Sequence, residues 1–467
     1  MWIIKKNTFY FDPLSESSER KPAIPQNIRE SAEKKLCIKI PHVVGKKEFP
    51  PEIILLYRRV MGHFVVPRFY PILNRLPYKY AESFQKSHPV NFPINIQLIS
   101  KNQEVVFEKL REHFSRPNGC NLIMATGQGK TFLASALIGA LQCRTLVVTH
   151  SQEISATWVS ILGSGGGCVG EFNGKKKTAG DVVVGVINSL VKQPPSWFDF
   201  DFVIYDEVTE FTSERRREIF FLAAAPYLLG LTATPAGPKS EIFRQHLGEF
   251  IHAKNLPGYS ETEINWRVNI RALKYFGPPE HTAPILSSIG YISACEMDKQ
   301  FMADPYRNRL IIREIEALAK AKKNIYVFVS ICAYGEIIKS LIPQELQSHV
   351  VDVLMGSQKS ASVSDLRSKQ DYSIILTTYK FCSKGISIDK MDAIILCQPR
   401  KADTEQTIGR ILRASGDPSS KRIIVDIIDA RTSLKNQFSV RKKIYAELGF
   451  NVEISKVEWE KIDSEDF

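Results

Sequence analysis

Cysteine is scarce in this chain, and what there is stands alone. The eight cysteines, at 37, 120, 143, 168, 295, 332, 382 and 397, form no CxxC pair, and no histidine cluster accompanies them. A zinc site and a disulfide framework are therefore not expected, and the thiols read as buried groups of a reducing, intracellular compartment. Long apolar runs are also few. One stretch of membrane-spanning length, "IFFLAAAPYLLGLTATPAGP" at 219–238, is broken by Pro226, Gly230 and Pro235. It reads as a buried strand with its loop, and no membrane partner is expected. The N-terminal "MWIIKKNTFYFDPLSESSER" has too short an apolar run for a signal peptide. No internal repeat is visible. Acidic charge is in deficit, 50 Asp and Glu against 62 Lys and Arg, for a net charge of +12. That sign favours a polyanionic partner, nucleic acid first, although basic charge also serves solubility.

What remains is ordinary for a globular protein, with 44% apolar and 24% charged residues in 467. The length gives room for about three domains. Residues 1–95 are rich in proline, aromatics and lysine, and predict a small β-rich or irregular module. From about 99 the texture changes. "LISKNQEVVFEKLREHF" predicts an amphipathic helix. Short apolar runs then alternate with helical patterns: "CNLIMA", "RTLVVTH", "DVVVGVI", "FDFVIYDE" and "YLLGLTAT". A second series follows at "NIYVFVS", "HVVDVLMG", "YSIILTTY", "DAIILCQP" and "KRIIVDIID". Between them, roughly 252–295 reads as a connector with a strand or two. The alternation predicts two α/β lobes, each a doubly wound parallel sheet, with a short helical tail after 431. The domain boundaries follow as 1–95 for the module, 96–255 and 256–455 for the lobes, and 456–467 for the tail.

The chemistry starts at "MATGQGKT", 124–131, which follows the first strand of the first lobe and precedes the helix "TFLASALIGAL". A loop of small residues at a helix N-terminus is what phosphate binding requires. Thr126, Gly127, Gln128 and Gly129 let backbone N–H groups curl around phosphate oxygens. Lys130 would reach the β- and γ-phosphates of ATP, and Thr131 would hold Mg²⁺. The strict P-loop formula has glycine where this chain has Met124. The second element is "FVIYDEVTEF", 202–211, in which an apolar strand delivers Asp206 and Glu207 at its C-terminal edge, where ligands of such sheets bind. Asp206 would hold Mg²⁺ through its water shell, and Glu207 would deprotonate the attacking water. The plainer reading, an acidic strand end, loses weight beside a P-loop upstream. Two basic runs, "GKKK" (Lys175–Lys177) and "ERRRE" (Arg215–Arg217), read as a loop between strands and an exposed helix face rather than as nucleic-acid grips.

The order of these elements resembles that of superfamily 2 helicases, over about residues 95–450. Gln103 falls where the family's adenine-contacting glutamine stands. "LVVTHSQEISATW" (146–158) and "VVVGVINSL" (182–190) resemble its two backbone-touching segments, and "LTATP" (231–235) its third motif. "TTYKFCSKGISI" (377–388), with Gly385 near the nucleotide, resembles the fifth motif. "QTIGRILR" (406–413) matches the sixth, QxxGRxxR, at every fixed position. The resemblance implies two tandem RecA-like domains, ATP and Mg²⁺ as cofactors, and DNA or RNA as partner. It implies that Gln406, Arg410 and Arg413 act on the transferred phosphoryl group from the second lobe. As a helix those three share one face, so without the P-loop they would read as a solvated stripe.

Three further pieces, "KGISI", "QPRKADTEQTIGRILR" and "RIIVDIIDARTSL", resemble more narrowly the helicases of large cytoplasmic DNA viruses, which include the poxvirus transcript-release helicase and relatives in African swine fever virus and iridoviruses. That placement implies a partner in the viral transcription machinery and a location in the virion or host cytoplasm; a monomer is expected. The chain departs from the family pattern at Thr209, where many relatives have histidine, and at Lys384 and Ser387, where many have acidic residues. The function expected is an ATP-driven helicase or translocase. The rivals are a catalytically silent nucleic-acid-binding protein of the same fold and a nucleotide-gated switch.

Overall fold

The computed structural model describes residues 3–462 apart from 6–7, 12–25, 45–46, 61–62, 72–88, 95, 99, 126, 165, 224, 234–236, 261–267, 288–291, 352–371, 380–391, 399–406 and 409–420. The chain divides into two compact units, Met1–Glu263 and Ile264–Phe467.

The first unit opens with short strands β1 (Ile3–Lys5) and β2 (Thr8–Phe11), helix α1 (Gln26–Lys35), and strands β3 (Cys37–Val44), β4 (Lys47–Leu55), β5 (Arg58–Val60) and β6 (His63–Pro67). They form an antiparallel sheet in the order β1-β2-β6-β5 and a separate β3–β4 hairpin. The β-rich expectation for this region holds. Among the described residues it has no separate core, however. Leu36, Ile54, Leu56, Phe64 and Val66 are buried in the same cluster as Val203, Tyr205, Phe220 and Phe243 of the lobe that follows. Arg58 pairs with Glu218 and lies 4.1 Å over the Phe221 ring.

Helix α2 (Lys101–His113) is capped by Ser100, whose side chain accepts from the Gln103 N–H. The lobe continues through β7 (Gly119–Ile123), α3 (Lys130–Leu141), β8 (Thr145–Thr149), α4 (Gln152–Gly163), β9 (Val169–Phe172), β10 (Val182–Val186), α5 (Ile187–Leu190), β11 (Phe202–Tyr205), α6 (Glu214–Leu222), β12 (Tyr227–Thr232), α7 (Ser240–Leu247) and β13 (Phe250–His252). The seven strands β7–β13 are all parallel, in the order β13-β7-β12-β11-β8-β10-β9. Both faces are covered. Val203 and Tyr205 of β11 point into one cluster, and Phe202 and Ile204 into the other. A strand with two buried faces must be apolar throughout, which is why these strands read as unbroken runs. Stretch 219–238 holds the end of α6 and then the buried β12, and no helix among the described residues is long and apolar enough to cross a membrane.

The second unit comprises β14 (Val268–Phe276), α8 (Ala294–Met302), α9 (Pro305–Lys320), β15 (Ile325–Val329), α10 (Cys332–Leu341), β16 (Val350–Val351), β17 (Ile374–Thr378), β18 (Ala393–Leu396), β19 (Arg422–Asp429), α11 (Asn436–Glu447) and β20 (Asn451–Glu458). Its seven parallel strands run β16-β17-β15-β18-β19-β14-β20. The expected doubly wound sheets are therefore both present. The connector holds the nine-residue β14, in line with the strand or two expected of it, and one detail differs from expectation: the tail holds a strand, β20, after its helix. The cysteines also differ. Among the described residues all are free, and Cys120, Cys143 and Cys397 are buried, but Cys168, Cys295 and Cys332 are exposed. Burial pushes the Cys143 and Cys397 thiols up to about 12.

Candidate functional site

The site lies at the C-terminal ends of β7, β12 and β11, which are neighbours in the sheet. The loop after β7 passes through Gly127 at φ +81° and Gly129 at φ +83°, the left-handed region that favours glycine. Gly129 is the N-cap of α3, a twelve-residue helix whose free N–H groups face whatever occupies the loop. A Cβ at Gly129 would sit 2.2 Å from Nε2 of Gln103, so the loop is closed down on α2 as far as glycine permits. Gln103 is buried, and its Nε2 donates to the Gln128 carbonyl at 3.0 Å. Lys130 is buried as well, and its Nζ donates to the Met124 carbonyl at 3.0 Å. Met124 N–H in turn donates to Thr232 O at 3.1 Å, tying the loop to the end of β12.

Asp206 follows β11, and its backbone N–H donates to Val148 O of β8 at 3.0 Å. Its carboxylate is buried and accepts from Trp158 Nε1 at 2.7 Å. Burial pushes the Asp206 carboxyl above the ordinary carboxylate range, against the pull of the Trp158 hydrogen bond and of the Lys130 charge. Burial raises Glu207 too; Lys130 pulls it down and Asp206 pushes it further up. Glu207 is one of three described non-glycine residues with positive φ, at +50°. Backbone held in that region costs roughly 1–3 kcal/mol and is found at sites where a side chain must be aimed. Lys130, Asp206 and Glu207 thus share one electrostatic environment.

Magnesium and a nucleoside triphosphate fit this set. Two left-handed glycines at a helix N-terminus make a phosphate cradle. A buried ammonium engaged to a loop carbonyl provides charge for phosphate oxygens. The Thr131 hydroxyl and the Asp206 carboxylate are the oxygen donors that a hard cation takes. Thr126, Gly385, Gln406, Arg410 and Arg413 lie outside the described residues, as do Lys384, Ser387 and the last two residues of "LTATP". Of the sixth motif the described pair is Thr407 and Ile408, both buried. The run "GKKK" is the β9–β10 loop, where Lys176 pairs with Glu171 at 2.7 Å, and "ERRRE" opens α6.

Three contacts were not legible from the motifs. Trp158 reaches Asp206. Tyr259 donates its hydroxyl to Oε1 of Gln128. Asn102 and Ser260 form a reciprocal pair, Asn102 Nδ2 to Ser260 O at 2.7 Å and Ser260 N–H to Asn102 Oδ1 at 2.8 Å. The signal for Trp158 was present in helical spacing, since Ser155, Trp158 and Leu162 make the buried stripe of α4.

Residues 97–237 match the family described as type III restriction enzyme, res subunit. The chain is 28% identical over 476 residues to the African swine fever virus protein QP509L, named as an ATP-dependent RNA helicase, covering 90% of each. It is 22% identical to the mimivirus protein L396, which carries the same kind of name, over 97% of this chain and 85% of that one. Among solved structures, S. cerevisiae Dbp5 bound to RNA and ADP BeF3 superposes with a TM-score of 0.52 at 13% identity, covering 79% of this chain and 96% of that chain. In sequence, the chain is similar to the superfamily 2 helicases of large DNA viruses, and its fold is that of tandem RecA-like proteins.

Proposed function

We propose that this chain is an ATP-dependent helicase or translocase that couples hydrolysis to movement on nucleic acid. The observation that carries the reading is the convergence of buried Lys130 with Asp206 and Glu207 beside the Gly127–Gly129 cradle. When bound, magnesium would offset charge on the β- and γ-phosphate oxygens, with Thr131 and Asp206 as its protein anchors. Lys130, leaving the Met124 carbonyl, donates to the same oxygens. Glu207 takes the proton of the attacking water as its oxygen bonds the γ-phosphorus and the bond to the bridging oxygen breaks. By the resemblance of the sixth motif, Arg410 and Arg413, with Gln406, would neutralise the transferred phosphoryl group; such arginines contribute about 10³–10⁵ in rate. Gln103 would read the base, and Gly385 is a nucleotide-binding residue by the same resemblance. The net charge of +12 supports phosphate-directed, sequence-tolerant binding to DNA or RNA. A monomer working beside viral transcription machinery is the finer form of this reading.

The test is ATP hydrolysis with and without single-stranded DNA, single-stranded RNA and duplex. Stimulation by at least one polymer is expected. Slow hydrolysis indifferent to every polymer would make the chain a nucleotide-gated switch, and no hydrolysis at all would make it a silent binding protein.

A further inference from the structure

We propose that Trp158 is a positioning residue for the metal end of the nucleotide site: its indole N–H fixes the Asp206 carboxylate in the orientation that holds magnesium. The inference rests on the reading of Asp206 as the magnesium anchor. It extends that reading to a residue from a different segment, 48 positions earlier in the chain.

The geometry is specific. Trp158 is fully buried on α4, and its Nε1 lies 2.7 Å from Oδ2 of Asp206. Helix α4 starts immediately after β8, with Ser151 as its N-cap, accepting from the Ile154 N–H at 3.3 Å. The Asp206 backbone is itself bonded to β8 through Val148 O. One strand thus sets the position of the aspartate main chain, and the helix that follows it sets the rotation of its side chain. A carboxylate turns easily about its last bond; the adjacent Glu207 backbone N–H also donates to this one, and the indole is the donor that reaches it from a separate segment of the chain and fixes its second point.

The kind of donor also matters. Indole is donor-only and neutral. A lysine or arginine in its place would satisfy the same oxygen but would compete with the metal for the aspartate's charge. An apolar ring would leave a buried acceptor unmet, at a cost of about 1–3 kcal/mol. Tryptophan meets the acceptor and leaves the negative charge for the cation. Partners one step behind a metal ligand characteristically cost 10–100-fold in metal affinity when removed.

Trp158→Phe separates this role from core filling, because phenylalanine keeps an aromatic ring in the cavity and loses only the N–H and the second ring. The measurement is the affinity of the full chain for a fluorescent ATP analogue, in EDTA and in magnesium; the ratio is the metal-dependent gain. For Trp158→Phe the EDTA affinity should match wild type, and the gain should shrink roughly 10-fold. Asp206→Asn should lose the gain entirely. If Asp206→Asn keeps the full gain, the anchor reading itself fails. If Asp206→Asn loses it while Trp158→Phe keeps it, Trp158 is a core filler and the present proposal fails. A check needing no variant uses wild type labelled with ¹⁵N-tryptophan and bound to a non-hydrolysable ATP analogue: adding magnesium should move one indole N–H resonance, and no movement of any indole overturns the proposal.

Discussion

In the first unit, the buried Asp206 and the half-buried Glu207 have an indole, one lysine and the imidazole of His150 for company, and no arginine closes on either among the described contacts. In the second unit, two buried carboxylates each close on an arginine. Asp429, the last residue of β19, pairs with Arg307, which also donates to Cys397 O. Asp426 accepts from Arg441 at 2.7 and 2.8 Å and from the Tyr445 hydroxyl at 2.8 Å. Burial works against the Arg307 charge, and Asp429 more than restores it, so that guanidinium holds its proton more tightly than usual. Both sheets are seven-stranded and parallel, and both place an aspartate at or just after a strand's C-terminal end. Position alone does not distinguish ligand site from scaffold. The partners do: charge balanced within the protein is structural, and charge left unbalanced is available to a ligand.

The contrast yields four predictions, taken here from the largest effect downward. Lys130→Ala and Arg410→Ala should each abolish ATP turnover, a loss of about 10³-fold or more, and Arg410→Ala should bind nucleotide nearly as wild type does. Hydrolysis and equilibrium binding of a fluorescent nucleotide measure both; normal turnover in Arg410→Ala would remove it from the site. Next, Arg307→Met leaves Asp429 buried without its counter-charge and should cost about 3–5 kcal/mol, read as a lower urea midpoint for the second unit. A shift under 1 kcal/mol would mean that this pair is not the internal balance described here.

Gly129→Ala meets both a left-handed backbone and the Gln103 amide at 2.2 Å. It should weaken ATP binding about 10-fold, near the lower end of what such backbone strain costs, with the fold retained by circular dichroism. The smallest effect has the opposite sign from Arg307→Met. The folded-state value of Asp206 lies above the unfolded one, so its ionisation opposes folding of the nucleotide-free protein. That penalty is absent below the unfolded value, about 3.9, grows as pH rises through the folded value, and is complete above it. Asp206→Asn should therefore raise the melting temperature by a few degrees at neutral pH, with the gain fading toward pH 4. A variant that melts lower than wild type at neutral pH would show that the carboxylate is balanced after all.

The strands that sequence reading finds are those with both faces covered. β8, β11 and β15 are buried along their whole length and read as apolar runs. The ones it misses have a reason to look otherwise. β9, β13 and β20 are edge strands with one neighbour each, and β20 is mostly exposed, with Glu453 and Lys456 interrupting its pattern. β14 lies beside that edge and carries Arg271, paired with Glu314, and the exposed Lys274, so sequence reading expects only an unplaced strand within a connector rich in glycine and proline. Lys130, Asp206 and Glu207 are legible because the chemistry proposed for them demands fixed residue types at fixed places after a strand. Trp158 and Tyr259 are not, because each acquires its role from a partner 48 or 131 residues away.

The Asn102–Ser260 and Gln128–Tyr259 contacts act as tethers. They moor Tyr259 and Ser260, a few residues short of the Glu263–Ile264 junction, to the helix and the loop that frame the cradle. A ligand that engages the Gln128 amide competes with the Tyr259 hydroxyl for it, so the loop and the last described residues of the first unit answer to the same side chain.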